Sequence, residues 1–171
     1  MQDDKDDGAK WLVSEKLADP KRMAMFGFSY GGYAAFAAAV RPNDLYKCAI
    51  AIAIAIAIAG AGVSDIDRIW ARFYNNPIFG ERQAPTVSGL SPLTQADKIK
   101  IPIMVYHGDR DQIVPLIQSE LFVNRAEAEG KPVEYHMLKD YAHGPAWTRQ
   151  IMTDQLTIIS DYLKSGCGGG L

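Results

Sequence analysis

A serine between two glycines is the first feature of the sequence that could do chemistry. Ser29 lies in the pattern Gly-x-Ser-x-Gly, which spans residues 27–31. A short apolar run at residues 23–26 predicts a strand buried on both faces, and an alanine-rich run at residues 33–40 predicts a helix. At such a corner the serine hydroxyl projects beside the helix N-terminus, which favours developing negative charge. The alternative is a glycine-rich turn whose serine is idle.

A serine hydroxyl needs a base before it can attack a carbonyl carbon. The chain has three histidines. His143 lies in the loop KDYAHGP, between a predicted strand and a predicted helix, where open parallel sheets place their active residues. His107 ends an apolar strand just before a glycine and is the main competitor, whereas His136 lies in the alternating segment VEYHML and is interpreted as a strand residue. We therefore favour His143 as the base.

The base in turn needs a carboxylate that orients the imidazole and stabilises its charged form. Asp109 and Asp111 both follow the apolar run at residues 101–106, at the carboxyl end of a predicted strand. Either could accept a hydrogen bond from the imidazole, and the other could hold the turn. In both cases the order along the chain is serine, aspartate, histidine, which is the order of the α/β-hydrolase fold.

The elements that must position these residues alternate between strands and helices. Apolar and alternating runs predict strands, and helical periodicity, alanine content and a closing glycine predict helices. Four strands separated by helical segments predict a mainly parallel sheet with right-handed crossovers, flanked by helices. The predicted strands cover residues 23–28, 48–59, 101–106 and 133–138, and the predicted helices cover residues 1–20, 33–40, 65–74, 116–129 and 146–163.

Three segments, GFSYGGYAA, HGDRDQIVP and YAHG, resemble the catalytic domain of the prolyl oligopeptidase family of serine peptidases, in particular its dipeptidyl peptidase IV and acylaminoacyl peptidase branches. The resemblance implies that Ser29 is the nucleophile and His143 the base. The family pattern D-x-x-V-P selects Asp111 over Asp109 as the acid. The backbone N–H of Tyr30, directly after the nucleophile, would donate to the oxyanion.

The resemblance also implies a fold, domain limits and an activity. The fold is a partial α/β-hydrolase fold, of α/β class, that lacks the N-terminal strands. Residues 1–164 would form the C-terminal portion of the catalytic domain, and residues 165–171 a flexible tail. The implied activity is hydrolysis of peptide bonds in short peptides through an acyl-enzyme intermediate, without a cofactor.

A substrate pocket is implied around the helix predicted at residues 65–74. The isoleucines and the phenylalanine of this helix are spaced like the core-facing positions of any helix, so a plain packing role stays open. Some proline-cleaving members have aromatic residues where this chain has Ile66 and Ile69, which argues against strict specificity for proline. The candidate pocket residues are Val63, Ile66, Ile69 and Phe73, with Ile113 and Val114 beside the acid.

Partners outside the chain are a further implication of the resemblance. The family's catalytic domain also has upstream hydrolase strands and a second oxyanion donor, and a β-propeller domain accompanies it. These parts would lie outside this chain, so the chain alone is expected to be weakly active or inactive. An uncovered sheet edge would favour pairing with another chain, including a second copy. Two other functions stay open. One is a carboxylesterase of the same superfamily; the other is a non-catalytic truncated or engineered fragment that self-associates through the alanine–isoleucine repeat at residues 49–59.

Composition and charge bound the function. The 171 residues, 48% of them hydrophobic, suffice for one globular domain. A net charge of −2 without a basic stripe argues against a nucleic-acid partner, and no apolar run is long enough to predict a membrane span. The two cysteines are not interpreted as a disulfide framework, Cys48 is predicted to be a buried thiol, and neither cysteine has metal-ligand spacing with the histidines. No metal is predicted, and the compartment stays open between cytoplasm and periplasm.

Overall fold

The computed structural model describes residues 2–42, 44–52, 93–143 and 148–167. Within these ranges the chain forms one sheet of four parallel strands in the order β1-β2-β3-β4, flanked by helices. This confirms the predicted α/β class. The strands are β1 Ala24–Phe28, β2 Cys48–Ile52, β3 Ile103–Gly108 and β4 Val133–Leu138. The helices are α1 Gln2–Ser14, α2 Tyr30–Val40, α3 Ile117–Ala128 and α4 Arg149–Ser165, with a 3₁₀ helix at Leu93–Lys98.

The strands are aligned so that their carboxyl ends meet at one edge of the sheet. Phe28 of β1 pairs with Ile52 of β2, Ile52 pairs with Tyr106 of β3, and Tyr106 pairs with His136 of β4. The segments that follow β1, β3 and β4 therefore leave the sheet side by side. Parallel sheets place their ligands and reacting groups at this edge.

Strand β2 is buried on both faces because its alternating sequence packs against two different layers. Ala49 and Ala51 belong to a core cluster with α2 and α3, while Ile50 and Ile52 belong to a second cluster with α4. The small alanine side chains leave room for the alanine-rich α2 to lie close to the sheet. The alternation predicted for this segment is confirmed as far as Ile52; residues 53–92 lie outside the described ranges.

Strand β1 is less buried than the sequence predicts. Phe26 is 51% exposed, whereas the apolar run at residues 23–26 predicts burial on both faces, and Phe28 beyond that run is 39% exposed. Strand β1 is an outer strand of the described sheet, and α4 covers this face over β2 and β3, where Ile50 and Met104 pack. The prediction of a strand is confirmed, and the prediction of two buried faces is wrong at Phe26.

The helix boundaries differ from the predicted ones by a few residues. Helix α4 begins after Thr148, whose Oγ1 accepts a hydrogen bond from the N–H of Ile151 at 3.2 Å. Such a side-chain cap fixes where a helix starts. The helix predicted at residues 65–74 lies outside the described ranges. None of the helices in those ranges has the length and apolar character needed to cross a membrane.

A disulfide ties the C-terminal segment to the centre of the sheet. It joins Cys48 to Cys167, which are 119 positions apart in sequence and have Cα atoms 5.2 Å apart. The prediction that Cys48 is buried is confirmed, but the prediction of a free thiol is wrong, because α4 packs on the face of β2 that carries Cys48. Ser165 ends α4 and Cys167 is buried, which differs from the flexible tail expected there; residues 168–171 lie outside the described ranges.

Candidate active site

Ser29 occupies a sharp corner between β1 and α2. Its backbone has φ of 55° and ψ of −116°, a conformation that residues other than glycine rarely adopt. The corner closes tightly, because a Cβ atom at Gly27 would overlap the carbonyl group of Gly31. The N–H of Ser29 donates to the Ile52 carbonyl at 2.9 Å, which anchors the corner to β2. The serine is therefore positioned by the backbone itself.

His143 lies after β4 and links the other two side chains that the sequence singles out. Its Nε2 is 3.0 Å from Oγ of Ser29, and its Nδ1 is 2.7 Å from Oδ2 of Asp111. The imidazole also contacts the ring of Phe28, with ring centroids 5.1 Å apart. Ser29, His143 and Asp111 are far apart in sequence and form one continuous line of hydrogen bonds in the structure.

The chemistry of these three side chains fixes where the hydrogens lie. The Asp111 carboxylate can only accept, so Nδ1 of His143 carries a hydrogen and donates it. In the neutral ring Nε2 then has a lone pair, and the hydroxyl of Ser29 donates to it. This arrangement can take a proton from the serine hydroxyl and hold the resulting imidazolium against a carboxylate.

Asp111 is a buried carboxylate surrounded by hydrogen-bond donors. Oδ1 accepts from the N–H groups of Ile113 at 2.9 Å and Val114 at 2.7 Å, and Oδ2 accepts from His143 and, at 3.1 Å, from His107. Burial by itself would raise the pKa of this carboxyl, but the hydrogen bonds from the two histidines and from Val114 outweigh burial and hold the pKa well below its usual range. Asp111 is therefore a charged partner for His143 at neutral pH.

The loops that carry the acid and the histidine are fastened to each other. Oδ1 of Asp109 accepts a hydrogen bond from the N–H of Asp140 at 2.7 Å, and the N–H of Arg110 donates to the Tyr141 carbonyl at 2.9 Å. The side chains of Arg110 and Asp140 also form an exposed ion pair. At Gly108 a Cβ atom would overlap the Tyr141 carbonyl, so the two loops touch backbone to backbone. Asp109, the alternative acid in the sequence, thus holds the loop that leads to the histidine.

The other two histidines have different partners. His107 is fully buried, and both of its ring nitrogens are engaged by other groups. His136 lies on β4 and hydrogen-bonds to Glu134, as expected for a strand residue. The structure thus directs His143 towards Ser29. Among the described residues, no group of three or more His, Cys, Asp or Glu side chains is placed to hold a metal ion.

The remaining predicted site residues are placed only in part. Tyr30 is the first residue of α2, so its N–H lies at the N-terminal end of that helix, directly after Ser29. Ile113 is 38% exposed and Val114 is buried; both lie beside the acid through their N–H groups. Their pocket roles stay predictions. The other candidate pocket residues, Val63, Ile66, Ile69 and Phe73, lie outside the described ranges.

Sequence reasoning missed two contacts of this site. One is the ring of Phe28 against His143, although Phe28 stands inside the glycine–serine motif. The other is a hydrogen bond between His107 and Ser119 behind the acid. His107 could have been noticed because it precedes Asp111 by four positions at the end of one strand. No motif points to Ser119, which α3 brings to the site.

The parallel sheet, with serine, aspartate and histidine in that order at the carboxyl ends of its strands, defines the α/β-hydrolase class. A model of the prolyl oligopeptidase family matches residues 2–169. The chain belongs to this family, and the resemblance carried by its three motifs is confirmed.

Relatives with curated names and with solved structures agree with this assignment. Dipeptidyl aminopeptidase BIII of Pseudoxanthomonas mexicana is 27% identical over 99% of the chain and 25% of its own length. Dipeptidyl peptidase family member 6 of Caenorhabditis elegans is 28% identical over 95% of the chain and 23% of its own length. The Pyrococcus horikoshii acylaminoacyl peptidase structure is 26% identical, with a TM-score of 0.70, and covers 91% of the chain and 25% of that protein. A Mycobacterium tuberculosis puromycin-hydrolyzing peptidase structure is also 26% identical, with a TM-score of 0.72, over 95% of the chain and 24% of that protein. The chain thus spans about a quarter of the length of these relatives.

Proposed function

We propose that this chain carries the nucleophile, base and acid of a serine peptidase that hydrolyses peptide bonds of short peptides. The observation that carries the proposal is the continuous line of hydrogen bonds from Ser29 through His143 to Asp111. Family membership supports the same class of activity. The names of the relatives refer to dipeptidyl and acylaminoacyl substrates, which supports short peptides as the substrate class for this chain.

The mechanism follows from the positions of the hydrogens. Oγ of Ser29 attacks the carbonyl carbon of the peptide bond while Nε2 of His143 takes the hydroxyl proton. The charged Asp111 stabilises the imidazolium that forms. The negative charge moves to the substrate oxygen, where the N–H of Tyr30 and the positive end of α2 stabilise it.

Proton return completes the cycle. His143 gives the proton to the nitrogen of the leaving amine, the C–N bond breaks, and an ester between Ser29 and the acyl group remains. A water molecule then attacks this ester and gives a proton to His143. His143 returns the proton to Oγ of Ser29 as the carboxylic acid leaves, so the three side chains end as they began.

The proposed activity also depends on polypeptide outside these residues, because the chain spans only about a quarter of the length of its relatives. A second oxyanion donor and further strands beside β1 would come from that polypeptide, and the exposed Phe26 and Phe28 lie where such strands would pack. Loss of one oxyanion donor typically lowers kcat by about 100- to 1,000-fold. We therefore expect slow turnover by these 171 residues alone.

Labelling with a fluorophosphonate tests the nucleophile without requiring fast turnover. Wild type and Ser14→Ala should be labelled at the same rate, Ser29→Ala should not be labelled, and peptide mass mapping should place the adduct on Ser29. Ser14 is a matched control because it is an exposed serine on α1 whose hydroxyl donates to the backbone carbonyl of Trp11. Equal labelling of Ser29→Ala, or no labelling of folded wild type, would contradict the proposal.

The substrate class needs a separate measurement. A short peptide amide and an ester of the same acyl group should both be cleaved, with amide cleavage lost in Ser29→Ala. Turnover of the ester without any turnover of the amide would favour a carboxylesterase instead. The two substrates share the acyl-enzyme, so the comparison isolates the leaving group.

A further inference from the structure

Asp111 is bonded to a second histidine that the mechanism above does not use. We propose that His107, held by Ser119, positions the Asp111 carboxylate and sets how strongly this carboxylate acts on His143. His107 is a positioning residue, because it acts only through Asp111. The proposal rests on the proposed function, since it concerns the acid of the same site.

The contacts of His107 form a buried chain behind the acid. Its Nδ1 is 2.6 Å from Oγ of Ser119, and its Nε2 is 3.1 Å from Oδ2 of Asp111 and 2.9 Å from the Val114 carbonyl oxygen. The side chains of His107 and Asp111 are completely buried, and so is Ser119. Leaving a buried hydrogen-bonding group unpaired costs free energy, so these hydrogen bonds strongly constrain the side chains of His107, Ser119 and Asp111.

The partners of His107 determine its tautomer. Nε2 faces two acceptors, a carboxylate oxygen and a carbonyl oxygen, so it must carry a hydrogen. In the neutral ring Nδ1 is then an acceptor, and the hydroxyl of Ser119 donates to it. Without this hydroxyl the buried Nδ1 lone pair would have no donor, and the ring would be held only through Nε2.

This tautomer gives the acid a fixed orientation. Two backbone N–H groups bind Oδ1 of Asp111, and His107 binds Oδ2, so the carboxylate plane is defined before His143 is counted. His143 lies in a loop, whereas His107 belongs to β3 and Ser119 is a buried residue of α3. The core of the protein therefore supplies the fixed point against which the loop histidine is oriented. Such preorganisation is worth a large factor in rate, because small misplacements of reacting groups are costly.

His107 also limits the negative charge that Asp111 offers to His143. A donor on Oδ2 shares that charge, so removing the donor makes the carboxylate more basic and a stronger partner for an imidazolium. Arg110 and Asp140, which are charged side chains on the loops after β3 and β4, are exposed and pair with each other. The buried oxygen therefore responds chiefly to the two histidines. Loss of the His107 donor should move the low-pH limb of the rate profile to higher pH.

Two amide substitutions that differ by one methylene test this role. His107→Gln places an N–H donor near the position of Nε2, whereas His107→Asn places its polar atoms near Nδ1 and leaves Asp111 without that donor. We expect kcat of His107→Asn to fall about 10- to 100-fold with KM nearly constant, and kcat of His107→Gln to fall about 3-fold. The low-pH limb should move upward in His107→Asn and stay in place in His107→Gln. His136→Asn is the control, because His136 lies on β4 and bonds to Glu134.

The pattern of losses decides between positioning and simple stability. Equal losses of kcat in the two His107 variants would overturn the proposal. The proposal would also be overturned if the lower kcat of His107→Asn were explained by a lower melting temperature and the low-pH limb did not move. Should His107→Asn fail to fold, Ser119→Ala supplies the test with a smaller change: we expect kcat about 3- to 10-fold lower and a smaller upward movement of the limb, because His107 is then held only through Nε2.

Nitrogen-15 NMR of the histidine side chains gives a readout that needs no turnover. In the wild-type chain and in Ser119→Ala, His107 should carry hydrogen on Nε2 and none on Nδ1, because both acceptors of Nε2 are present in each. Hydrogen on Nδ1 of His107 in wild type would overturn the positioning role. The expected NMR pattern together with no fluorophosphonate label on Ser29 would instead overturn the proposed function and leave the buried hydrogen-bond chain standing. The two failures are therefore distinguishable.

Discussion

The corner that carries Ser29 follows β1 and the loop that carries Asp111 follows β3 of the same sheet, yet they are held in different ways. Ser29 is fixed by its backbone: its φ is positive, and at Gly27 the chain leaves no room for a Cβ atom. Asp111 is fixed by donors: two backbone N–H groups and two histidines bind its oxygens. The Ser29 corner depends on the absence of a side chain at Gly27, whereas Asp111 depends on donors from the backbone and from two side chains.

This difference decides which changes each region can tolerate. A sharp backbone corner is defined by the local sequence, and the fold is destabilised when a side chain is added at one of its glycines. A buried carboxylate is oriented by donors from distant elements, and it loses that orientation when a donor is removed. Four changes to the protein or its solvent would test this contrast, and replacing the acid is expected to have the largest effect.

Replacing the acid by its amide should cause the largest loss. In Asp111→Asn the amide N–H would donate to Nδ1 of His143, so the hydrogen of the imidazole would move to Nε2 and face Ser29. We expect kcat to fall about 10,000-fold, as for wrong-tautomer variants of such triads. Steady-state kinetics with an ester substrate measures this, and fluorophosphonate labelling of Ser29 should slow in parallel. A loss of less than about tenfold would show that the carboxylate is not needed to orient His143.

The two glycines of the serine motif should respond unequally to alanine. A Cβ atom at Gly27 would overlap Gly31, so Gly27→Ala is expected to lower the free energy of unfolding by about 3 kcal/mol or more. At Gly31 nothing lies within 4 Å of the added atom, and the residue is in α2, so Gly31→Ala should keep or slightly raise stability. Urea unfolding of both variants measures the contrast. Equal destabilisation would contradict the backbone account of the corner.

Low pH should lower the free energy of unfolding through Asp111, whereas the Ser29 corner contains no group that titrates in this range. The pKa of Asp111 is held below its ordinary value of 3.8, so its charged form stabilises the folded state above that pH, and the stabilisation is lost as pH falls below it. Between about pH 5 and about pH 3, wild type should lose more free energy of unfolding than Asp111→Asn, whose amide does not titrate. Chemical denaturation at each pH gives the two curves. Parallel curves would mean that Asp111 contributes no pH-dependent stability.

The smallest effect is expected where the two loops are fastened at the surface. Asp109→Ala removes the acceptor for the N–H of Asp140 and should cost about 1 kcal/mol of stability. It should also slow labelling of Ser29 several-fold, because the loop that carries His143 is less well held. Asp19→Ala is the matched control, since Oδ1 of Asp19 also accepts a backbone N–H, that of Lys21, but on an exposed turn after α1. Equal labelling rates in the two variants would limit Asp109 to a local role.

The parts of this protein that could be predicted from its sequence are those that depend on local patterns. The glycine–serine motif, the strand before it and the helix after it follow from neighbouring residues, and they placed Ser29 correctly at a strand end. The order serine, aspartate, histidine and the strand–loop position of His143 follow from the same reasoning. The choice of Asp111 over Asp109 required the family resemblance, because the residues alone allowed either.

The parts that could not be predicted depend on packing between distant elements. The link between Cys48 and Cys167 exists because α4 lies on one face of β2, which no spacing reveals. The exposure of Phe26 depends on how far α4 extends across the sheet. Ser119 reaches His107 because α3 packs beside β3, and a serine within a helix gives no signal of its own.

The covalent ring closed by the cysteines has a consequence for a broken chain. It encloses Asp111 and His143 but leaves Ser29 outside, on the segment that enters the ring at Cys48. A single peptide-bond cut anywhere inside the ring would produce two polypeptides that stay joined by sulfur. The nicked molecule would migrate as one species in a non-reducing gel and separate into two when reductant is added, so its acid and base would stay tethered to the strand next to its nucleophile until the disulfide is reduced.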